Sequence, residues 1–241
     1  MQIIHSTLLN QFSNITHCFT TKDVGNLAFH VNDNPINVEL KHDNLSKILN
    51  FNKNSLIHMK QIHSSDVHIV NDKDDFYNPR ECDALVTNKK ETPLMVMVAD
   101  CSPILFYDSI NQVIAVAHAG RQGAFKNIIK NTIDTMVNKF SCKPQNIYVS
   151  VGASIGQCCY EVGSEIYDEA CKIGLEYALE KKENSYYLDI SKILLSQLLH
   201  LGVKKENIEI SNECSCCLKD KYYSYRAEAK TGRFAGVILL K

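Results

Sequence analysis

The chain has 241 residues, 45% of them hydrophobic and 22% charged, with 26 basic against 27 acidic residues and a net charge of -1. This is ordinary globular composition, long enough to bury one large core, and it sets the expectation of a single domain over residues 1–241. The near-neutral balance excludes attraction to nucleic acid or to an anionic membrane by a global field, so partners must be recognised at a site.

The longest apolar stretches, Leu94 to Ala99 and Phe234 to Leu240, fall far short of the ~20 residues that a transmembrane helix needs. The N-terminus, Met-Gln-Ile-Ile-His-Ser, has neither the basic nor the apolar region of a signal peptide, so a cytoplasmic location is expected. Ten cysteines then read as reduced thiols, metal ligands or catalytic thiols rather than disulfides. Cys18, Cys82, Cys142 and Cys171 sit beside apolar residues and read as small core hydrophobes.

In chain order, Asn71 to Glu81 has no apolar periodicity and reads as an exposed loop. Pro93 to Ala99, Ile104 to Tyr107 and Val113 to Ala117 read as strands, the last two joined by a polar turn over residues 108–112. Past Gly120 the period changes. Phe125, Ile128, Ile129, Ile133, Met136, Val137 and Phe140 recur at spacings of three and four, the stripe of an amphipathic helix that Pro144 closes. Ile147 to Val151 alternates as a strand, Glu165 to Leu179 and Leu188 to Leu201 read as helices, and Ile208, Ile210 and Phe234 to Leu240 read as strands. The fold class is therefore mixed α/β.

A hairpin centred near Ile110 places residue 102 opposite residue 118, which brings Cys101 and His118 to the same end of neighbouring strands. A thiolate beside an imidazole is either a nucleophile with its base or a pair of metal ligands, and the residues themselves leave both open. Asp100, read on the same strand as Cys101, faces the other way as a support or a strand-end cap. Cys214, Cys216 and Cys217 have the spacing of half a zinc site, with no matching Cys-x-x-Cys elsewhere.

Six collinear pieces then point further: KQIHSSDV (60–67), CDALVTN (82–88), VADCSPILFYD (98–108), AVAHAG (115–120), VGASIGQCCYEVG (151–163), and YYSYR followed by TGRFAG (222–236). Together they resemble the bacterial laccase-domain proteins, also called the polyphenol oxidase or peptidoglycan editing factor family, from about Asn26 to the C-terminus. The resemblance implies a layered sandwich of mixed β-sheets flanked by helices. It also implies one zinc ion on His63, Cys101 and His118, with a fourth position for water or substrate.

The implied chemistry is phosphorolysis of adenosine, inosine, guanosine and methylthioadenosine, together with deamination of adenosine. Arg226 and Arg233 match the arginine-bearing C-terminal motifs and are the phosphate or substrate candidates, with Gln61 as a hydrogen-bond donor beside His63. The vicinal Cys158 and Cys159 are read as packing near the site. The pattern departs from the family where Trp-Arg is replaced by Arg121-Gln122, where a double arginine becomes Arg226-Ala227, and where the loop over Asp23 to Asn26 is shortened. Arg121 is the candidate to restore the lost charge from one residue earlier.

Three other functions compete. Copper at the same residues could oxidise phenols, although a multi-copper laccase needs His-x-His pairs and none of the nine histidines forms one. Cys101 and His118 could act as a cysteine hydrolase dyad, and peptidoglycan precursor editing is the third. No dinucleotide-binding glycine motif, P-loop or His-Glu-x-x-His occurs.

Overall fold

The structure is a computed structural model that describes residues 2–241. The first half of the chain runs β1 (Ile3–Ile4), β2 (Ile15–Thr20), α1 (Pro35–Leu49), β3 (Ile57–Lys60), β4 (Val67–Ile69), β5 (Arg80–Glu81), β6 (Ala84–Thr87) and β7 (Leu94–Val98). The centre follows as β8 (Ser102–Asp108), β9 (Val113–Ala119), α2 (Arg121–Phe125), α3 (Ile128–Phe140) and β10 (Ile147–Val151). The remainder is β11 (Glu161–Val162), α4 (Ser164–Lys172), β12 (Leu179–Lys182), β13 (Ser185–Leu188), α5 (Ile190–His200), β14 (Ile208–Ile210), α6 (Tyr225–Glu228) and β15 (Phe234–Leu240).

Two mixed six-stranded sheets, in the orders β1-β2-β15-β7-β3-β5 and β14-β10-β8-β9-β6-β4, form the centre, and β11, β13 and β12 make a small third sheet. Alternation along the strands assigns the layers. On β8 and β6, Leu105, Tyr107 and Leu85 face the first sheet and meet Phe19, Val96 and Phe234. Ile104, Phe106 and Val86 face the other way and meet Ile128, Ile133 and Met136 of α3 and Ile193 and Leu198 of α5. The outer face of the first sheet, with Cys18, Met95 and Val237, is covered by Leu45 and Leu49 of α1. The expected layered sandwich is therefore present, with helices on both outer faces.

Several local expectations are corrected. The β8–β9 register pairs Pro103 with His118 and Ser102 with Ala119, one residue from the expected pairing. Asp108 extends its strand and accepts backbone N–H bonds from Ile110 and Asn111, and Gln112 takes a positive φ of 53°, which together confine the turn to residues 109–112. The amphipathic stripe from Phe125 to Phe140 is broken into α2 and α3, because Asn127 (φ 61°) caps the second helix by accepting the Lys130 N–H. The expected helix from Glu165 to Leu179 ends at Lys172, and Cys171 is exposed, whereas Cys18, Cys82 and Cys142 are buried as expected. The loop from Asn71 is not wholly exposed, since Phe76 is buried in the first sheet's outer layer.

Two histidines away from any site tie the fold to pH. Burial, reinforced by the charge of His5, lowers His17 to about 4, and burial lowers His42 to about 4. His42 donates to the Leu27 carbonyl through Nε2 while its buried Nδ1 has no partner among the described residues, so a second proton there would go unsatisfied. Both rings are neutral when folded and charged when unfolded below about 6.5. Their contribution is therefore intact above that pH and is lost as the pH falls toward about 4, by a few kcal/mol in all. The urea midpoint should fall over this window, and His42→Gln should flatten the fall; an equally steep profile in that variant contradicts the assignment.

Candidate metal centre and its cavity

The chain leaves the first sheet at Val98 and enters the second at Ser102. Asp100 makes this crossing with φ 82° and so sits in a turn, not on a strand as the sequence reading had it. Its carboxylate accepts from the Ser215 hydroxyl at 2.7 Å and from the Arg226 backbone N–H at 2.7 Å, a clamp that offsets the backbone strain. The turn delivers Cys101 to the open ends of the sheets, where β9 delivers His118.

His63 arrives from a loop with φ 58°, and the residue that builds that loop is Asp83. This carboxylate, with no exposed surface, accepts the backbone N–H groups of Ile62 (3.2 Å), His63 (3.1 Å) and Ser64 (2.6 Å) and the Ser64 hydroxyl (2.8 Å). It also accepts from His118 Nδ1 at 2.8 Å, which fixes the tautomer and leaves Nε2 free to bind a metal. Asp83 is a functional residue that motif spacing does not reveal. The available signal was a carboxylate inside an otherwise apolar strand start, CDALVTN.

The donor atoms of His63, Cys101 and His118 lie within 4.8 Å of one another. Gly120 leaves them room, because a methyl group there would stand 2.7 Å from Cys101 Sγ and 3.5 Å from the His63 ring. Burial opposes ionisation of Cys101, but the charge of His118 and hydrogen bonds from His118 and His63 outweigh it and lower the thiol to about 6. Burial opposes protonation of His118, yet Cys101 and Asp83 raise it to about 9. Asp83 is held down to about 2 against its burial by hydrogen bonds from His118 and Ser64. The group can thus work as a soft-tolerant metal site or, without metal, as a thiolate–imidazolium pair with an orienting carboxylate.

A cavity of about 420 Å³ opens on this group and is lined by all four predicted substrate residues, Gln61, Arg121, Arg226 and Arg233. They differ in what they have to offer. Gln61 donates to the Met97 carbonyl at 2.7 Å and accepts the Met97 N–H at 3.0 Å, so its amide fastens β7 rather than His63. Arg121 is paired with Glu169 at 2.6 Å. Arg226 instead donates to the carbonyls of Cys159 (2.9 Å) and Glu161 (3.1 Å) and lies over the Tyr160 ring. Arg233 donates to the carbonyls of Thr231 (3.0 Å) and Gly232 (2.9 Å). Among the described residues neither of these two guanidinium groups has a carboxylate partner, so both leave positive charge in the cavity. The wall also holds His30, Tyr160 and Tyr225, which the sequence reading did not place at the site.

Known proteins resemble this chain over most of its length. A family model described as multi-copper polyphenol oxidoreductase laccase matches residues 16–241. The chain is 36% identical over 218 residues to a purine nucleoside phosphorylase of Corynebacterium glutamicum, covering 89% of this chain and 86% of that protein. It is 29% identical over 243 residues to the purine nucleoside phosphorylase YlmD of Bacillus subtilis, covering 92% and 87%. Among solved structures, the Bacillus licheniformis hypothetical protein YfiH superposes with a TM-score of 0.90 at 28% identity, over 97% of this chain and 94% of that one.

Proposed function

This chain belongs to the multi-copper polyphenol oxidoreductase laccase family, and from that premise we propose that it is a zinc-dependent purine nucleoside enzyme of the cytoplasm. Its reactions are phosphorolysis of adenosine, inosine, guanosine or methylthioadenosine and deamination of adenosine. The observation that carries the reading is one cavity that joins a His-Cys-His donor set to two arginines without carboxylate partners. The relatives' name, purine nucleoside phosphorylase, supports it.

The donor set fits the metal. Two imidazoles and a thiolate suit zinc, and His63, Cys101 and His118 would hold it while leaving coordination capacity for water or substrate. When bound, zinc supplies a Lewis acid that lowers the pKa of water to about 7, as hydrolytic loss of ammonia from C6 of adenine requires. Asp83 orients His118 and the His63 loop throughout. Arg226 and Arg233 hold phosphate, whose oxygen bonds to ribose C1′ as the bond to the purine breaks; the bond electrons leave with the base, which takes up the proton that the phosphate gives up. Tyr225, 60% exposed at the rim, offers a ring face to the purine.

Two other readings meet specific observations. Copper-dependent oxidation of phenols by several coppers lacks ligands, since among the described residues His63 and His118 are the histidines that join a group able to hold a metal. A cysteine hydrolase finds its thiolate, base and orienting carboxylate in Cys101, His118 and Asp83, and it requires Cys101 to be alkylated by iodoacetamide even in zinc-replete protein.

The test is chromatography of zinc-loaded protein with inosine or adenosine, with and without phosphate. Phosphate-dependent release of hypoxanthine or adenine is expected, and Arg226→Ala should lower it by about 10²-fold with zinc content unchanged. Deamination of adenosine should fall less. Full phosphorolysis in Arg226→Ala sinks the phosphate assignment, and stoichiometric zinc without nucleoside turnover favours a cell-wall precursor as substrate.

A further inference from the structure

The half-site of Cys214, Cys216 and Cys217 finds its complement in the fold. The loop after β10 and the segment before α6 run side by side, with an isolated parallel bridge between Ser154 and Cys214 and the Ser215 N–H donating to the Ser154 carbonyl at 2.9 Å. This pairing lays the vicinal Cys158 and Cys159 against Cys214 and Cys217. All four Sγ atoms lie within 4.8 Å of one another, with Cys217 at 3.5 Å from Cys158 and 3.4 Å from Cys159. Four thiolates around zinc, at Zn–S distances of about 2.3 Å, have tetrahedral edges of about 3.8 Å. The two edges at Cys217 are close to that spacing and no edge exceeds 4.8 Å, too short for sulfurs that ligate the separate irons of a cluster.

We propose that Cys158, Cys159, Cys214 and Cys217 hold a second zinc ion, structural in role, distinct from any metal on His63, Cys101 and His118. Four protein ligands leave no open position, the mark of a structural site. The surroundings are shaped for thiolate ligands. The Gly156 N–H donates to Cys214 Sγ at 3.2 Å, as outer partners of metal ligands do. A side chain at Gly156 would stand 3.3 Å from Cys158 Sγ and 3.3 Å from Cys214 Cβ. Cys158 and Cys217 are exposed, which gives the ion a path from solvent.

The site has a consequence for the cavity. Arg226 is held by the Cys159 and Glu161 carbonyls and by Asp100, and Asp100 is in turn held by Ser215, which follows Cys214. Zinc at the four cysteines therefore fastens together the two segments that present Tyr160 and Arg226 to the cavity.

Zinc content and zinc X-ray absorption of reduced full-length protein test this independently of the proposed reaction. Wild type should carry about two zinc ions per chain and Cys101→Ala about one, with four sulfur neighbours at about 2.3 Å. Cys158→Ser/Cys217→Ser should also carry about one, with mixed nitrogen and sulfur neighbours, and should show a raised KM for phosphate. Should that double variant fail to fold, the Cys101→Ala spectrum still decides. Zinc-free Cys101→Ala protein, a Cys158 or Cys159 disulfide found by mass, or visible absorption from an iron–sulfur cluster overturns the proposal.

Discussion

Replacing Cys101 with alanine is expected to remove the metal from the cavity and to lower nucleoside phosphorolysis by at least about 10³-fold. The variant keeps His63 and His118 but loses the thiolate, and two imidazoles alone make a weak site. Cys101 lies outside β8, at the cavity wall and at the margin of the core between the sheets, so the variant loses only peripheral packing. Measured without metal on both sides, the urea midpoints of variant and wild type should agree to within about 1 kcal/mol. Metal content by mass spectrometry, run beside the phosphorolysis assay, checks both halves. A variant that keeps wild-type turnover removes Cys101 from the chemistry altogether.

The second large effect belongs to Asp83→Asn, a change of nearly the same shape. The buried carboxylate accepts from Ile62, His63, Ser64 and His118. An amide offers one acceptor oxygen and must turn N–H groups toward donors, so at least one buried partner loses its bond. A loss of about 3–5 kcal/mol in unfolding free energy is expected. Zinc affinity should fall about 10–100-fold, because the His118 tautomer and the His63 loop are no longer fixed. The pH sense follows from the lowered value of about 2: the carboxylate's contribution is intact above about 4 and is lost as the pH falls toward about 2. A zinc titration against a competing chelator is the check, and wild-type affinity in a folded Asp83→Asn variant would overturn the role given to Asp83.

These two residues also show how far the sequence could be read. Cys101 was legible because two apolar runs around a polar turn bring it to His118, and that logic survived a one-residue error in register. The error came from Asp108, whose side chain caps the turn and lengthens the strand. The amphipathic stripe past Gly120 was legible as helix, but Asn127 in a left-handed conformation divides it, a backbone choice that periodicity cannot register. Helix α1 was missed because its buried residues, Val38, Leu45 and Leu49, are sparse among polar ones.

Asp83 offered only a carboxylate at an apolar strand start, because its partners come from a distant loop and from a neighbouring strand. The four-cysteine cluster was half legible for a similar reason. Cys214 and Cys217 show ligand spacing, whereas Cys158 and Cys159 join them only through the pairing of two far-separated segments. The free charge on Arg226 and Arg233, as against the Glu169-paired Arg121, depends on hydrogen bonds that no motif encodes.

The most direct measurement is phosphate-dependent turnover of inosine by protein stripped with a chelator and then titrated with zinc. Activity should disappear with the metal at His63, Cys101 and His118 and return as about one zinc ion per chain is restored there. Undiminished phosphorolysis by metal-free protein would contradict this expectation.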